Sequence, residues 1–146
     1  MMKRSLVLVA TLAAVMLAQT PSDPWTPSQL LEPKELAAAT PSDAPEIVMV
    51  GPRVLYDGAH IVGALYAGPA TKPEGIQKLL DAAANLPKDA PIVIYCGCCP
   101  MTRCPNIRPA FTALHDAGFK NVKVLALKES MHADWTDKGY PVQKGS

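Results

Sequence analysis

The chain has 146 residues, 49% of them hydrophobic and 18% charged, enough for one globular domain with a real core and too little for two. Lys and Arg number 14 against 13 for Asp and Glu, so the net charge of +1 creates no field to attract nucleic acid or an acidic membrane surface. One site must carry the function, and electrostatics names no macromolecular partner for it.

The amino end reads Met1-Met2-Lys3-Arg4 followed by an apolar run from Ser5 to Ala18. A cationic flank before an apolar stretch too short to cross a bilayer comfortably predicts a secretory signal over residues 1–18, with Ala18 and Gln19 as the cleavage pair. A retained amino-terminal anchor is the alternative. The expectation is an exported protein, periplasmic or extracellular, with no membrane span once the signal is cut. Residues 19–28 hold Pro21, Pro24 and Pro27 and read as a linker, so the domain is expected over residues 29–143.

Within it, Leu30 and Leu31 suit a short edge strand. Pro33 opens a helix through Glu35, Leu36 and Ala39, which the segment from Pro41 to Pro45 ends. Ile47 to Val50 is a continuous apolar run, as in a strand covered on both faces. Ile61 to Tyr66 reads as another strand, and Gly75 to Leu86 as a helix with Ile76, Leu79, Leu80 and Ala83 at helical spacing. Pro91 to Tyr95 is the clearest strand. Asn106 to Ala117 places Ile107, Ala110, Phe111 and Leu114 on one helical face before Gly118, and Val122 to Leu127 makes a last strand. Strands alternating with helices argue for an α/β fold with a parallel sheet, whose ligands bind beyond the carboxyl ends of the strands. No internal repeat, heptad pattern or Gly-rich phosphate loop occurs.

All four cysteines fall in one segment at such an end: Tyr95-Cys96-Gly97-Cys98-Cys99-Pro100-Met101-Thr102-Arg103-Cys104-Pro105-Asn106. A framework meant to staple a small fold would spread its cysteines along the chain and close long loops, so local chemistry is the better reading. Backbone N–H groups of a tight loop and a first helical turn favour a thiolate, persulfide or oxyanion held between them. Arg103 could add a forked cationic donor for an anion such as thiosulfate. The C-x-C-C-x4-C cluster has three plausible occupants. One is sulfur chemistry, with Cys96 or Cys98 carrying a persulfide and another loop cysteine able to resolve it as a disulfide. Another is a soft ion, Cu(I) or Zn, held by Cys96, Cys98, Cys99 and Cys104, helped if Met101 or His132 comes near. In the third, local disulfides pin an inert loop, as export would permit.

Several landmarks in order give the chain, from about Trp25 to Val142, a family likeness. Gly58-Ala59-His60-Ile61-Val62-Gly63-Ala64 resembles a GHIPGA segment, Ile92 to Cys96 a strand ending in a catalytic cysteine, and Gly118 to Val122 a GFxNV turn. Trp135 followed by Gly139-Tyr140-Pro141-Val142 is similar to a closing W-x-x-x-GYPV pattern. Together they resemble a single-domain rhodanese-like sulfurtransferase. The resemblance implies a central, mostly parallel five-stranded sheet with helices on both faces. It also implies ping-pong transfer of sulfane sulfur, from a small sulfur anion such as thiosulfate to a thiophilic or thiol acceptor, through a cysteine persulfide and without a cofactor.

On that likeness Cys96 is the nucleophile and Cys98 its rival, since Cys98 restores the family's five-residue step to Arg103. Gly97, Cys99, Pro100, Met101, Thr102 and Cys104 would form the loop that binds substrate. The loop is longer than the family's. Met49-Val50-Gly51-Pro52-Arg53 replaces an Asp-x-Arg, so a shifted Arg53 could face the pocket. Lys128-Glu129-Ser130-Met131-His132 stands where many members have a glycine pair, which brings His132 toward the active loop. His60 is a further pocket candidate, although in such a turn it more often fixes loop geometry by hydrogen bonding. His115 is expected in solvent and Trp135 in the core.

Overall fold

The computed structural model describes residues 22–145; the expected signal segment, residues 1–18, lies outside them. In chain order the described residues form β1 (Leu30–Leu31), α1 (Pro33–Ala37), β2 (Glu46–Met49), α2 (Arg53–Gly58), β3 (His60–Ile61), β4 (Leu65–Tyr66), α3 (Pro73–Ala83), β5 (Ile92–Tyr95), α4 (Ile107–Asp116), β6 (Val122–Leu125), α5 (Met131–Asp134) and β7 (Val142–Gln143). Strands β1, β6, β5, β2 and β4 make one five-stranded sheet in that order, with every pairing parallel. Among the described residues no helix is long and apolar enough to cross a membrane.

Strand alternation assigns the two faces of the sheet. Val48, Ile92, Ile94, Val122 and Val124 pack with Leu79 and Ala83 of α3 and with Ile107, Ala110, Phe111 and Leu114 of α4. The intervening Ile47, Met49, Val93, Tyr95 and Leu125 pack with Leu36 of α1, Tyr56 of α2 and Met131 of α5. Both faces are thus covered by helices, as the unbroken apolar runs in β2 and β5 require. Helix α4 forms because Ile107, Ala110, Phe111 and Leu114 recur at helical spacing. It ends where Gly118, at φ +91°, takes the left-handed conformation that a side chain would resist.

One expected strand is two. The run from Ile61 to Tyr66 breaks after Ile61, where Gly63 adopts φ +81° and Ala64 N–H closes a turn onto the Ile61 carbonyl at 2.9 Å. Strand β3 leaves to pair antiparallel with β7, and β4 alone joins the main sheet beside β2. Tyr95 holds the departing strand, its hydroxyl accepting the Ile61 N–H at 3.0 Å. Helices α2 and α5 have no counterpart among the sequence expectations. Trp25, in the proline-rich segment, is buried against Phe111 with ring centroids 5.7 Å apart.

Candidate active site

Strand β5 delivers the cysteine loop to the carboxyl edge of the sheet. Cys96 continues the alternation of Ile92 and Ile94, so its side chain turns toward α3 and α4 and is 2% exposed. Gly51, just past β2, makes room for it: a Cβ there would lie 2.4 Å from the Cys96 carbonyl oxygen and 2.8 Å from its Sγ. Gly97, at φ +79°, then reverses the chain. A short 3₁₀ turn over Met101–Arg103 follows, pinned by buried Met101, whose N–H donates to the Leu127 carbonyl at 2.9 Å. Asn106 closes the loop from below. Its side chain accepts the Thr71 N–H at 3.1 Å and donates to Cys96 Sγ at 3.4 Å.

Cys98 is the hub of the cluster. Its Sγ lies 2.9 Å from that of Cys96, 3.0 Å from Cys99 and 3.7 Å from Cys104. It is also the exposed member, whereas Cys99 is half-buried and Cys96 and Cys104 are buried; all four are free thiols. Cys104 sits at the amino end of α4. A hydrogen bond from Cys96, together with the Asn106 and Ile107 backbone N–H groups, outweighs burial and lowers its thiol to about 5. Its proton-bearing partner moves the other way: donation to Cys104, then burial, pushes the Cys96 thiol well above the ordinary thiol range. Burial first, then the Cys98 thiol, raises Cys99 to about 12.

The sequence matches the family described as Rhodanese-like domain over residues 32–131. The chain belongs to this rhodanese-like domain family. An X-ray structure of the Rhodanese-like domain of the Alr3790 protein from Anabaena sp. is 29% identical and covers 68% of this chain and 87% of that one, at a TM-score of 0.51. Helicobacter pylori protein hp1203, seen by solution NMR, is 15% identical over 81% of this chain and 91% of its own, at 0.56; that likeness concerns the fold alone. A solution NMR structure of the Anabaena domain, at 28% identity and a TM-score of 0.49, is matched over 68% of this chain and only 65% of its own length. No curated protein matches.

Within this rhodanese-like domain the structure gathers some of the expected residues and separates others. The four cysteines, Gly97, Pro100, Met101 and Thr102 form one loop. Arg103 is exposed on the 3₁₀ turn. Arg53 is engaged elsewhere, in an ion pair with Asp57 at 2.7 Å and over the rings of Tyr56 and Tyr66. His60 is fully buried, stacked on Tyr56 at 3.6 Å with Nδ1 2.7 Å from the Tyr56 carbonyl, while its Nε2 has no partner. His132 is exposed and paired with Asp137 at 2.9 Å. It lines a cleft of about 320 Å³ together with Met49, Leu55, Gly97 and Met131. Two loop-supporting residues escaped the sequence reading, Asn106 and Arg108. Arg108 donates to the Thr102 carbonyl at 2.8 Å and pairs with Asp23. Their place within four residues of the last cysteine, Asn106 as the cap of α4 and Arg108 in its first turn, was the available signal.

The Sγ atoms of Cys96, Cys98 and Cys104 all lie within 4.8 Å of one another. Thiolates bound at about 2.3 Å around one tetrahedral zinc stand roughly 3.8 Å apart. The Cys98–Cys104 separation of 3.7 Å suits that, but 2.9 Å to Cys96 and 3.0 Å to Cys99 do not. These thiols pack against one another around Cys98.

Proposed function

We propose that this domain is a sulfurtransferase of an exported protein, which takes sulfane sulfur from a small anionic donor such as thiosulfate and passes it to a thiophilic acceptor. The carrier is Cys98. One observation carries this choice: Cys98 is the exposed thiol at the centre of the cluster. Cys96, the first expectation for the nucleophile, is buried, and its thiol is raised well above the ordinary range. The Cys98 thiolate attacks the outer sulfur of thiosulfate, a sulfur–sulfur bond forms to Cys98, and sulfite departs with the electron pair of the bond that breaks. Arg103, exposed on the same loop, supplies positive charge to the donor anion. A nucleophile such as cyanide or a thiol then removes the outer sulfur and regenerates the thiol.

Sulfite is the product to follow, because it reports sulfur uptake whatever becomes of the persulfide. Reduced protein, freed of reductant and mixed with thiosulfate, is expected to release close to one sulfite per chain and to form thiocyanate when cyanide is present. Cys98→Ser abolishes both, and Cys96→Ser keeps the sulfite. Sulfite release undiminished in Cys98→Ser would sink the assignment. A wild-type protein that takes up no sulfur and instead retains a stoichiometric soft metal ion would replace it with a metal-binding role.

A further inference from the structure

We propose that Cys104 is a resolving thiol, which displaces the sulfur carried by Cys98 as hydrosulfide and leaves a Cys98–Cys104 disulfide. This rests on the sulfurtransferase reading and adds a second activity to the same loop, reduction of sulfane sulfur at the expense of an external dithiol.

The argument begins with placement. Cys104 Sγ is fully buried, 3.7 Å from Cys98 Sγ, while Cys98 is exposed. A sulfur atom added to Cys98 from solvent lies on its outer side, and Cys104 reaches the same Sγ from within. That is the disposition displacement at sulfur requires, with attacker and leaving group on opposite sides. Burial also keeps Cys104 from competing for the donor itself. Its place just before the amino end of α4 and its lowered pKa favour the thiolate, the attacking form.

The other neighbours of Cys98 are poorer partners. Cys99 is adjacent in sequence, where a disulfide is strained, and burial raises its thiol to about 12. Cys96 is two residues from Cys98 and buried, and its thiol is raised well above the ordinary range, so it is the poorer attacking group. Cys104 is six residues from Cys98 across a loop turned by Gly97. Bonding needs the two Sγ atoms to close from 3.7 Å to about 2.05 Å.

The step balances without an outside oxidant. The Cys104 thiolate forms the Sγ–Sγ bond, the bond from Cys98 to the outer sulfur breaks, and that sulfur leaves with the electron pair as hydrosulfide, protonated as solution pH dictates. Two cysteine sulfurs are oxidised to a disulfide and the sulfane sulfur is reduced. An external dithiol, whose first attack meets the exposed Cys98, restores both thiols and is itself oxidised.

The test is a single turnover under anaerobic conditions with reduced, reductant-free protein and one equivalent of thiosulfate, following sulfite, hydrosulfide and intact mass. The wild-type protein is expected to release sulfite and then hydrosulfide, each near one per chain, and to finish two hydrogens lighter. Trypsin cleaves after Arg103 and so separates Cys104 from the other three cysteines. The expected disulfide therefore appears as two linked peptides, with fragmentation placing the bond on Cys98. Cys104→Ser should release sulfite like wild type, finish one sulfur heavier, and yield hydrosulfide at least about tenfold more slowly. Equal hydrosulfide from both proteins, or a wild-type disulfide that omits Cys104, overturns the inference while leaving sulfur transfer standing. Absence of sulfite from the wild type overturns the transferase reading, and this inference with it. If Cys104→Ser does not fold, the wild-type peptide map decides alone.

Discussion

Burial by itself raises the pKa of a thiol, because the charged form loses its water. Cys104 is fully buried and nonetheless lowered to about 5 from an ordinary 9.0, since a hydrogen bond from Cys96 and two backbone N–H groups face its sulfur. The same hydrogen bond accounts for the opposite displacement of Cys96. A group whose pKa is depressed by folding contributes stability that is complete above its unfolded value and lost as pH falls through its folded value. For Cys104 that window runs from about 9 down to about 5. Cys99, raised to about 12, and Cys96 act the other way, and their contributions decline only above the ordinary thiol range. Two results are expected. Hydrosulfide release after a single thiosulfate turnover should fall away as pH drops through about 5. In denaturant unfolding across the same window, wild-type stability should rise more steeply with pH than that of Cys104→Ser. Parallel slopes would show that Cys104 is not the thiolate. That the four cysteines lie together was legible in their spacing. Which one faces solvent was not, because that depends on where β5 ends: a side chain changes face with every residue of a strand.

At the scale of elements, the loop depends on the close approach of β2 to β5. Met49 pairs with Tyr95 in parallel register, and the chains continue side by side into Gly51 and Cys96. A methyl group on Gly51 would come within 2.4 Å of the Cys96 carbonyl oxygen and 2.8 Å of its Sγ, where one neighbour is backbone and cannot yield. Gly51→Ala is therefore expected to cost about 1–3 kcal/mol by overpacking and to lower sulfite release by pushing away the Cys96 backbone and with it the loop that carries Cys98. Gly58 has nothing within 4 Å of the equivalent position, so Gly58→Ala should leave both the thermal midpoint and the activity near wild type. A Gly51→Ala protein indistinguishable from wild type would mean that the strands separate at no cost. The elements that frame this contact were the readable ones. β2, β5, β6, α3 and α4 each bury a sustained apolar run or face, and that periodicity stands in the sequence. Helix α2 was missed because it presents Val54 and Leu55 to solvent, 74% and 36% exposed, with Tyr56 as its one buried residue. Helix α5, of four residues, is too short for a period and is set by Ser130, whose side chain caps it by accepting the Ala133 N–H. The break between β3 and β4 depends on one positive φ at Gly63, a local event that an apolar run conceals.

Considered as a whole molecule, the domain joins its amino-terminal segment to its active loop through Arg108. That guanidinium pairs with Asp23, lies 5.6 Å from the Trp25 ring, and donates to the Thr102 carbonyl within the loop. Trp25 is 7% exposed and meets Phe111 edge-on at 5.7 Å. Thr26 and Gln29 add a capping box that fixes how the chain enters β1. Proline content suggested a linker here. Composition describes the backbone's stiffness and says nothing of where a single tryptophan docks, which depends on the face of α4 that three-dimensional packing leaves open. Replacing a buried tryptophan with alanine costs about 3–5 kcal/mol, a large part of the roughly 5–15 kcal/mol that holds a domain folded. Trp25→Ala should accordingly lower the denaturant midpoint strongly, with Trp25→Phe between it and wild type. Compared with a chain beginning at Ser22, one beginning at Gln29 should lose about as much stability as Trp25→Ala does. Because Arg108 then loses Asp23 and the ring while keeping Thr102, the shortened domain, wherever it remains folded, should still release sulfite from thiosulfate. Equal midpoints for the chains starting at Ser22 and Gln29 would show that the tryptophan contributes nothing to the core.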